Sequence, residues 1–208
     1  MNHYIVFVLM LFLKDNQKNI LRNLIKKILK QYSNCIIQEV IEQHKILSDL
    51  HPSSINTIRI MTLTIDNEIR ILSSVLRMGI GNSKGDNVSS GGIACGIHKD
   101  GKLKEKAFNA NGICFMEHPQ TGKFAGTMLP GYSKCVDICT KIAPRFSRFS
   151  KLISWDFSID TNSNPILIEA NLYGGELDFH QMCNGPIFGD YKESKKMIDK
   201  FVRGEKVY

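Results

Sequence analysis

Apolar and polar positions alternate with different periods along the chain, and those periods predict its elements. Tyr4 to Leu13 is apolar at ten successive positions and then meets Lys14-Asp15, which reads as a buried strand. From Asn16 to Gln31, Ile20, Leu21, Leu24, Ile25, Ile28 and Leu29 fall on one helical face, with lysines and Arg22 on the other. Cys35 to Ile41 reads as a short buried strand and His51 to Ser54 as a turn. Ile55 to Ile65 and Glu68 to Met78 are β-rich runs joined at Asp66-Asn67, which predicts a long hairpin. The segment from Gly79 to Gly92, GIGNSKGDNVSSGG, reads as a loop. Strands are expected at Ile93 to Ile97 and Ala107 to Phe115, and a turn at His118 to Gly122. The spacing then predicts a helix over Tyr132 to Phe146, ending around Pro144, and a second hairpin of Leu152 to Asp160 and Pro165 to Asn171. A polar helix is expected from Tyr191 to Val207. No internal repeat and no linker interrupts this order, and 208 residues suffice for one good-sized core or two small subdomains.

Composition narrows the class. With 43% apolar and 23% charged residues the chain reads as an ordinary globular protein. Its net charge of +7 is concentrated in Lys14 to Lys30 and Lys192 to Lys206, where it reads as solvated helix faces, and no nucleic-acid motif accompanies it. The six cysteines form no CxxC pair and no zinc-finger spacing with histidine. Cys135 and Cys139, four apart, read as one apolar helix stripe, and the chain is expected to be reduced and cytoplasmic. Ten apolar residues are too few for a membrane-spanning helix, which needs about 20, so no integral span is expected. Neither a basic start nor a cleavage site marks a signal peptide.

Candidate chemistry concentrates in the second hairpin. Side chains alternate faces along a strand, so Ile153, Trp155, Phe157 and Ile159 point one way and Ser154, Asp156, Ser158 and Asp160 the other. In the partner strand Ile166, Ile168 and Ala170 form the apolar face, opposite Leu167, Glu169 and Asn171. A turn centred between Asn162 and Ser163 places Asp156 directly across from Glu169, with Cβ atoms about 5 Å apart. Two facing carboxylates repel unless a cation joins them. With the amide of Asn171 they form a hard-oxygen set suited to Mg²⁺, and a solvent-facing polar surface is the competing interpretation. Arg59 and Arg77 lie in the otherwise apolar or hydroxylic strands of the first hairpin, where each guanidinium needs an anion: a phosphate or acyl phosphate, or a structural ion-pair partner. In the glycine-rich loop, Lys84, Asn87 and the backbone of Ser89 to Gly92 are either phosphate or acceptor ligands or merely part of a flexible segment. His98, His118 and His180 have no partner spacing and are expected to be structural or superficial.

The run WDFSIDTNSNPILIEANLYGG resembles the terminal metal-binding motif of ATP-grasp enzymes such as the D-alanine–D-alanine ligases. Taken in order, SSINTIRIMTL, VLRMGIG, DNVSSGGIACGI, EHPQTGK, SWDFSID, LIEANLYGGELD and GPIFGD resemble the sugar-transfer-associated, α-L-glutamate-ligase-related ATP-grasp family over roughly residues 33 to 190. The resemblance implies an α+β fold, with a mainly antiparallel sheet flanked by helices. It implies Asp156, Glu169 and Asn171 as Mg²⁺ ligands, and an adenine-binding hinge at Gln38, Glu39, Val40 and Ile41. It also implies ATP-dependent activation of a carboxylate as an acyl phosphate, with transfer to an amine or similar nucleophile, in surface-polysaccharide or sugar modification. Residues 1–37 then correspond to a remnant of the lid subdomain, with Lys14 in the place of its lysine, and 38–208 to the catalytic subdomain. Ser154 stands where the D-alanine ligases have an arginine, a contact left to Arg59 or Arg77. The shortened lid leaves two readings open: a ligase, or a truncated remnant that binds nucleotide weakly or serves as an interaction module.

Overall fold

The computed structural model describes residues 5–7, 26–27, 30–31, 35–37, 41–65, 68–122, 124–173 and 175–188. Contacts divide the chain into two compact units, Met1–Glu42 and Gln43–Tyr208. In the first, β1 (Ile5–Phe7) pairs in parallel with β2 (Cys35–Ile37), Ile5 opposite Cys35. Parallel partners require a crossover. Lys26, Lys27, Lys30 and Gln31, between the two strands, are helical and exposed, consistent with the polar face expected there. The strand expected through Ile41 does not reach that far, since Ile41 belongs to no strand. The rest of the expected first strand and first helix, and the whole polar helix at Tyr191 to Val207, lie outside the described residues.

The second unit is built on a seven-stranded antiparallel sheet. Its strands are β3 (Thr57–Ile65), β4 (Glu68–Met78), β5 (Ile93–Ile97), β6 (Leu103–Phe108), β7 (Cys114–Phe115), β8 (Leu152–Ile159) and β9 (Pro165–Asn171), in the order β7-β6-β5-β4-β3-β8-β9. Three helices accompany it: α1 (Lys45–Leu50), α2 (Tyr132–Phe146) and α3 (Leu177–Asn184). This is the expected α+β arrangement. Both hairpins form, and α2 has the expected bounds, passing through Pro144 to end at Phe146. The strand expected over Ala107 to Phe115 is two strands, because Gly112, at φ 74°, and the Asn109 side chain, which accepts from the N–H groups of Asn111 and Ile113, turn the chain between them.

β3 is buried at all nine positions because it lies inside the sheet and both of its faces are covered. One face is apolar: Ile58, Ile60, Leu76, Ile93, Trp155 and Phe157 pack with Cys135, Cys139 and Ala143 of α2. Phe146 meets Trp155 edge-on at 5.7 Å, and the indole N–H, which burial obliges to find an acceptor, donates to Thr62 Oγ1 at 2.8 Å. The helix can begin close to the β8–β9 turn because Gly131 has no Cβ; one added there would lie 2.9 Å from the Ser163 carbonyl oxygen. The other face carries Thr57, Arg59 and Met61 of β3 and is covered by α3, whose Phe179 packs with Val75, Val88 and Ala94.

The β8–β9 register carries a correction. Asp156 does pair with Glu169, as expected, yet the turn is not centred where that expectation put it. Ile159 pairs with Pro165, which centres the turn on Asn162; there Asp160 Oδ1 accepts from the N–H groups of Asn162 and Asn164. A bulge at Ile168 then supplies the missing residue, so that Phe157 pairs with Leu167 but Asp156 with Glu169. On the turn side of the bulge, face assignments are therefore reversed: Leu167 shares the face of Phe157, and Ile166 that of Ser158.

Candidate functional site

Four neighbouring strands each place a residue of the same polar row on the α3-covered face. β4 supplies Arg77, β3 Thr57 and Arg59, β8 Asp156 and β9 Glu169. Register fixes their order: Arg77 lies opposite Thr57, Arg59 opposite Asp156, and Asp156 opposite Glu169. Thr57 and Arg59 are two apart on one strand, so both arginines share this face.

Asp156 is the hub. Arg59 grips it with a two-pronged fork, Nε to Oδ1 and Nη2 to Oδ2, both at 2.7 Å. Arg77 adds Nη2 to Oδ2 at 3.0 Å. Arg59 and Arg77 are each 5% exposed and Asp156 only 1%, so these pairs are cut off from solvent. Burial on its own pushes the Asp156 pKa up, but the Arg59 hydrogen bond and the charges of Arg77 and Arg59 outweigh it and hold the carboxyl below its ordinary value. Burial likewise opposes the Arg59 charge, and Asp156 and Glu176 more than restore it.

Arg77 makes three further hydrogen bonds. Its Nε and Nη2 donate to Thr57 Oγ1 at 2.9 and 2.8 Å, and Nη1 donates to Asn87 Oδ1 at 3.2 Å. Thr57 in turn donates its hydroxyl and its N–H to Asp86 Oδ2, which lies 3.6 Å from Arg77 Nε. Burial pushes the Asp86 carboxyl up, against the pull of Arg77 and Thr57. These contacts pin the glycine-rich loop to the row at positions 86 and 87. Two buried histidines pin its start: His51 Nε2 lies 3.0 Å from the Gly81 carbonyl and His118 Nε2 2.8 Å from that of Gly79. Lys84 is exposed on this loop and makes no hydrogen bond or ion pair among the described residues, so the fold does not bring it into the row.

At the other end the row opens to solvent. The Glu169 side chain is 54% exposed, with Oε1 3.9 Å from Arg59 Nη2. Asn171 Nδ2 donates to the same Oε1 at 3.1 Å, which leaves Asn171 Oδ1 as an acceptor. Glu176, the residue before α3, accepts from Arg59 Nη1 at 2.5 Å. Two guanidiniums thus face four carboxylates: Asp86, Asp156, Glu169 and Glu176. Among the described residues no three His, Cys, Asp or Glu side chains are arranged to hold a metal ion. The set formed by Glu169, Asn171 and Asp156 is instead two carboxylates and an amide. Its donors are hard oxygens, it sits in an excess of negative charge, and Glu169 reaches solvent, so its chemistry fits Mg²⁺.

Beneath α3 lies a group that periodicity did not single out for chemistry. His180 is fully buried, stacked on Phe179 at 5.1 Å, with Nδ1 2.8 Å from Ser73 Oγ. Asn184 Nδ2 donates to that same hydroxyl at 2.8 Å. Burial, with the Arg59 charge, pushes the His180 imidazole down to about 3, so it is neutral. Thr57, Asp86, Glu176 and His180 all belong to this neighbourhood; the sequence singled out none of the first three, and His180, expected to be structural or superficial, is buried. The expected adenine-binding positions Gln38, Glu39 and Val40 lie outside the described residues, and Ile41, half-buried, belongs to the first unit.

No helix among the described residues is long and apolar enough to cross a membrane. No curated protein and no solved structure matches the chain significantly. The family described as sugar-transfer associated ATP-grasp matches residues 11–194, a span that takes in every strand of the polar row and the helix above it. A chain matched over most of its length, whose paired aspartate and glutamate stand on adjacent antiparallel strands, belongs to the sugar-transfer associated ATP-grasp family.

Proposed function

We propose that this protein is an ATP- and Mg²⁺-dependent ligase that activates a carboxylate and joins it to an amine or similar nucleophile. In the activating step a carboxylate oxygen attacks the γ-phosphorus of ATP and ADP departs, leaving an acyl phosphate. The nucleophile then attacks the carbonyl carbon, loses its proton, and inorganic phosphate leaves. The observation that carries this reading is the facing pair Asp156–Glu169 beside two arginines, in a chain of ATP-grasp ancestry.

Glu169 and Asn171, with Asp156, would hold Mg²⁺, which neutralises phosphate charge when bound. Arg59 and Arg77 would take the oxygens on which charge gathers during phosphoryl transfer, where positioning and electrostatics supply most of the catalysis. The pinned loop places Asn87 beside Arg77, and Lys84 would reach a phosphate from its exposed position. Gln38, Glu39, Val40 and Ile41 would receive the adenine, with residues 1–37 corresponding to the lid subdomain and 38–208 to the catalytic subdomain. Family membership favours a cytoplasmic role in surface-polysaccharide or sugar modification.

Titration calorimetry with Mg²⁺ and a β,γ-imido analogue of ATP tests the site. Binding that requires Mg²⁺ and is lost in Glu169→Ala supports it; the same affinity in that variant removes it. The second reading, a remnant that binds nucleotide without turnover, has in its favour that both Asp156 oxygens are already taken by guanidinium donors. Phosphate release from ATP in the presence of a carboxylate and an amine decides between the two.

A further inference from the structure

Arg59 Nη1 is directed away from the buried hub and toward solvent-accessible structure, and a carboxylate of the chain itself holds it. That residue, Glu176, is unusual in three respects. It is one of two non-glycine residues with positive φ among the described residues, at φ 47° and ψ 64°. Its side chain is 47% exposed, so its carboxylate reaches Arg59 from the rim and not from the core. It also stands immediately before α3, the element that covers the row, and Gly175 precedes it and Gly185 follows the helix.

The underside of α3 is incompletely matched to what it covers. His180 Nε2 and Asn184 Oδ1 on the helix, and Ser154 Oγ on the sheet, are buried and make no hydrogen bond. The Ser154 hydroxyl lies against Gly175, where an added Cβ would meet it at 3.0 Å. A permanently packed core interface ordinarily pairs such atoms. Here the helix is held at its entry by a charged contact and underneath by the apolar packing of Leu177 and Phe179 and the hydrogen bonds of His180 and Asn184 to Ser73, with those polar atoms left over.

We propose that Arg59 Nη1 is an oxyanion subsite of the active face and that Glu176 is its built-in occupant, which the phosphate or carboxylate of a substrate displaces. This rests on the ligase reading above, and it adds to that reading a competitor within the chain. The Glu176 carboxylate in contact with Nη1 shows that the position accepts an oxyanion. The displaced Glu176 returns to water at little cost, since it is half exposed already, whereas Arg59 keeps an anionic partner throughout and is never left buried and uncompensated. Any ligand that binds only the displaced state must also outcompete Glu176, so removing the carboxylate raises the apparent affinity.

The test measures affinity in the full chain for Mg²⁺ with the β,γ-imido ATP analogue, for inorganic phosphate, and for malonate as a carboxylate probe. Wild type is compared with Glu176→Gln and Glu176→Asn. Asparagine tolerates positive φ, so the second variant removes the charge without added backbone strain. Both variants are expected to bind at least one probe about three- to tenfold more tightly, with faster amide exchange across α3. The probe that gains identifies the oxyanion: phosphate or nucleotide for a phosphoryl subsite, malonate for a substrate carboxylate. Equal or weaker binding of every probe by both variants overturns the proposal, and so does a gain without faster amide exchange in α3, which the loss of one negative charge alone would give. If the nucleotide analogue binds wild type in a Glu169-dependent manner but the variants gain nothing, the subsite fails and the ligase reading stands. If no form binds nucleotide but the variants gain affinity for phosphate or malonate, the ligase reading fails and the subsite stands.

Discussion

Trp155 and Asp156 are neighbours on one strand, both almost fully buried, and they face opposite sides of the same sheet. Trp155 is held by apolar contacts with α2 and a single hydrogen bond to Thr62. Asp156 is held by three charged hydrogen bonds from two arginines. The apolar face tolerates rearrangement because hydrophobic burial has no direction, while the polar face depends on each partner being present. Burial alone therefore does not distinguish core from site; what the buried group requires does.

Replacing each residue with alanine gives the largest effects. Asp156→Ala removes the buried carboxylate that two guanidiniums share, leaving Arg59 to Glu176 and Glu169 and Arg77 to Asp86, and is expected to cost about 3–5 kcal/mol. Trp155→Ala leaves a large cavity and is expected to cost a similar ~3–5 kcal/mol. Urea denaturation measures both losses, and added phosphate separates them: it restores part of the stability of Asp156→Ala by supplying an anion to Arg59 and Arg77, and does nothing specific for Trp155→Ala.

A second, smaller effect comes from protons. The His180 imidazole is pushed down to about 3 in the fold, against ~6.5 in the unfolded chain, so below pH ~6.5 the unfolded state takes up a proton that the folded state refuses. Its contribution to stability is complete above pH ~6.5 and declines as pH falls toward 3. At about 1.4 kcal/mol per pH unit, wild type loses on the order of 2 kcal/mol between pH 6.5 and 5 from this group. His180→Gln, which keeps a side-chain partner for Ser73, is expected to remove most of that slope. Asp156, with its carboxyl held low by Arg59 and Arg77, adds a further loss only at more acidic pH, below the ordinary carboxylate range. Denaturation midpoints at pH 7, 6 and 5 check the sign. The smallest effect belongs to the exposed end of the row, where Glu169→Ala should change stability by no more than ~0.5 kcal/mol while abolishing metal-dependent nucleotide binding.

The apolar face was largely legible in the sequence because its periods are strong. Cys135, Cys139 and Ala143 repeat every four residues, and α2 has the bounds that spacing predicts. α3 was not legible, since LDFHQMCN buries Phe179 and His180 and sets Asn184 against Ser73, a mixture that matches no apolar stripe. The start of Leu103–Phe108 was hidden by the charged run Lys104, Glu105 and Lys106, half-buried at the first and exposed at the other two, which separates buried Leu103 from Ala107. α1 is a single short helix stabilised by contacts of Leu47 and Leu50 with the core, and six residues carry too little periodicity to detect. In the site, alternation put Asp156 on the right face and the register put Glu169 opposite it. It did not show that Arg59 and Asp156, 97 residues apart in the chain, would meet. Partners at that separation are chosen by strand order, which local pattern does not encode. The Asp156–Glu169 register itself was reached through two compensating errors, a turn displaced by half a residue and an unforeseen bulge.

That bulge has a second consequence, away from the site. β9 is the last strand of the sheet among the described residues, and Leu167 and Ile168 are exposed on it at 41% and 39%. A straight apolar margin of this kind would offer its free amides and carbonyls to any passing chain, the usual opening move of fibrils and of clumping during expression. The kink at Ile168 interrupts that ladder midway, so the residue that restores the acidic pair to alignment also makes the rim of the sheet a poor template for a stranger's strand.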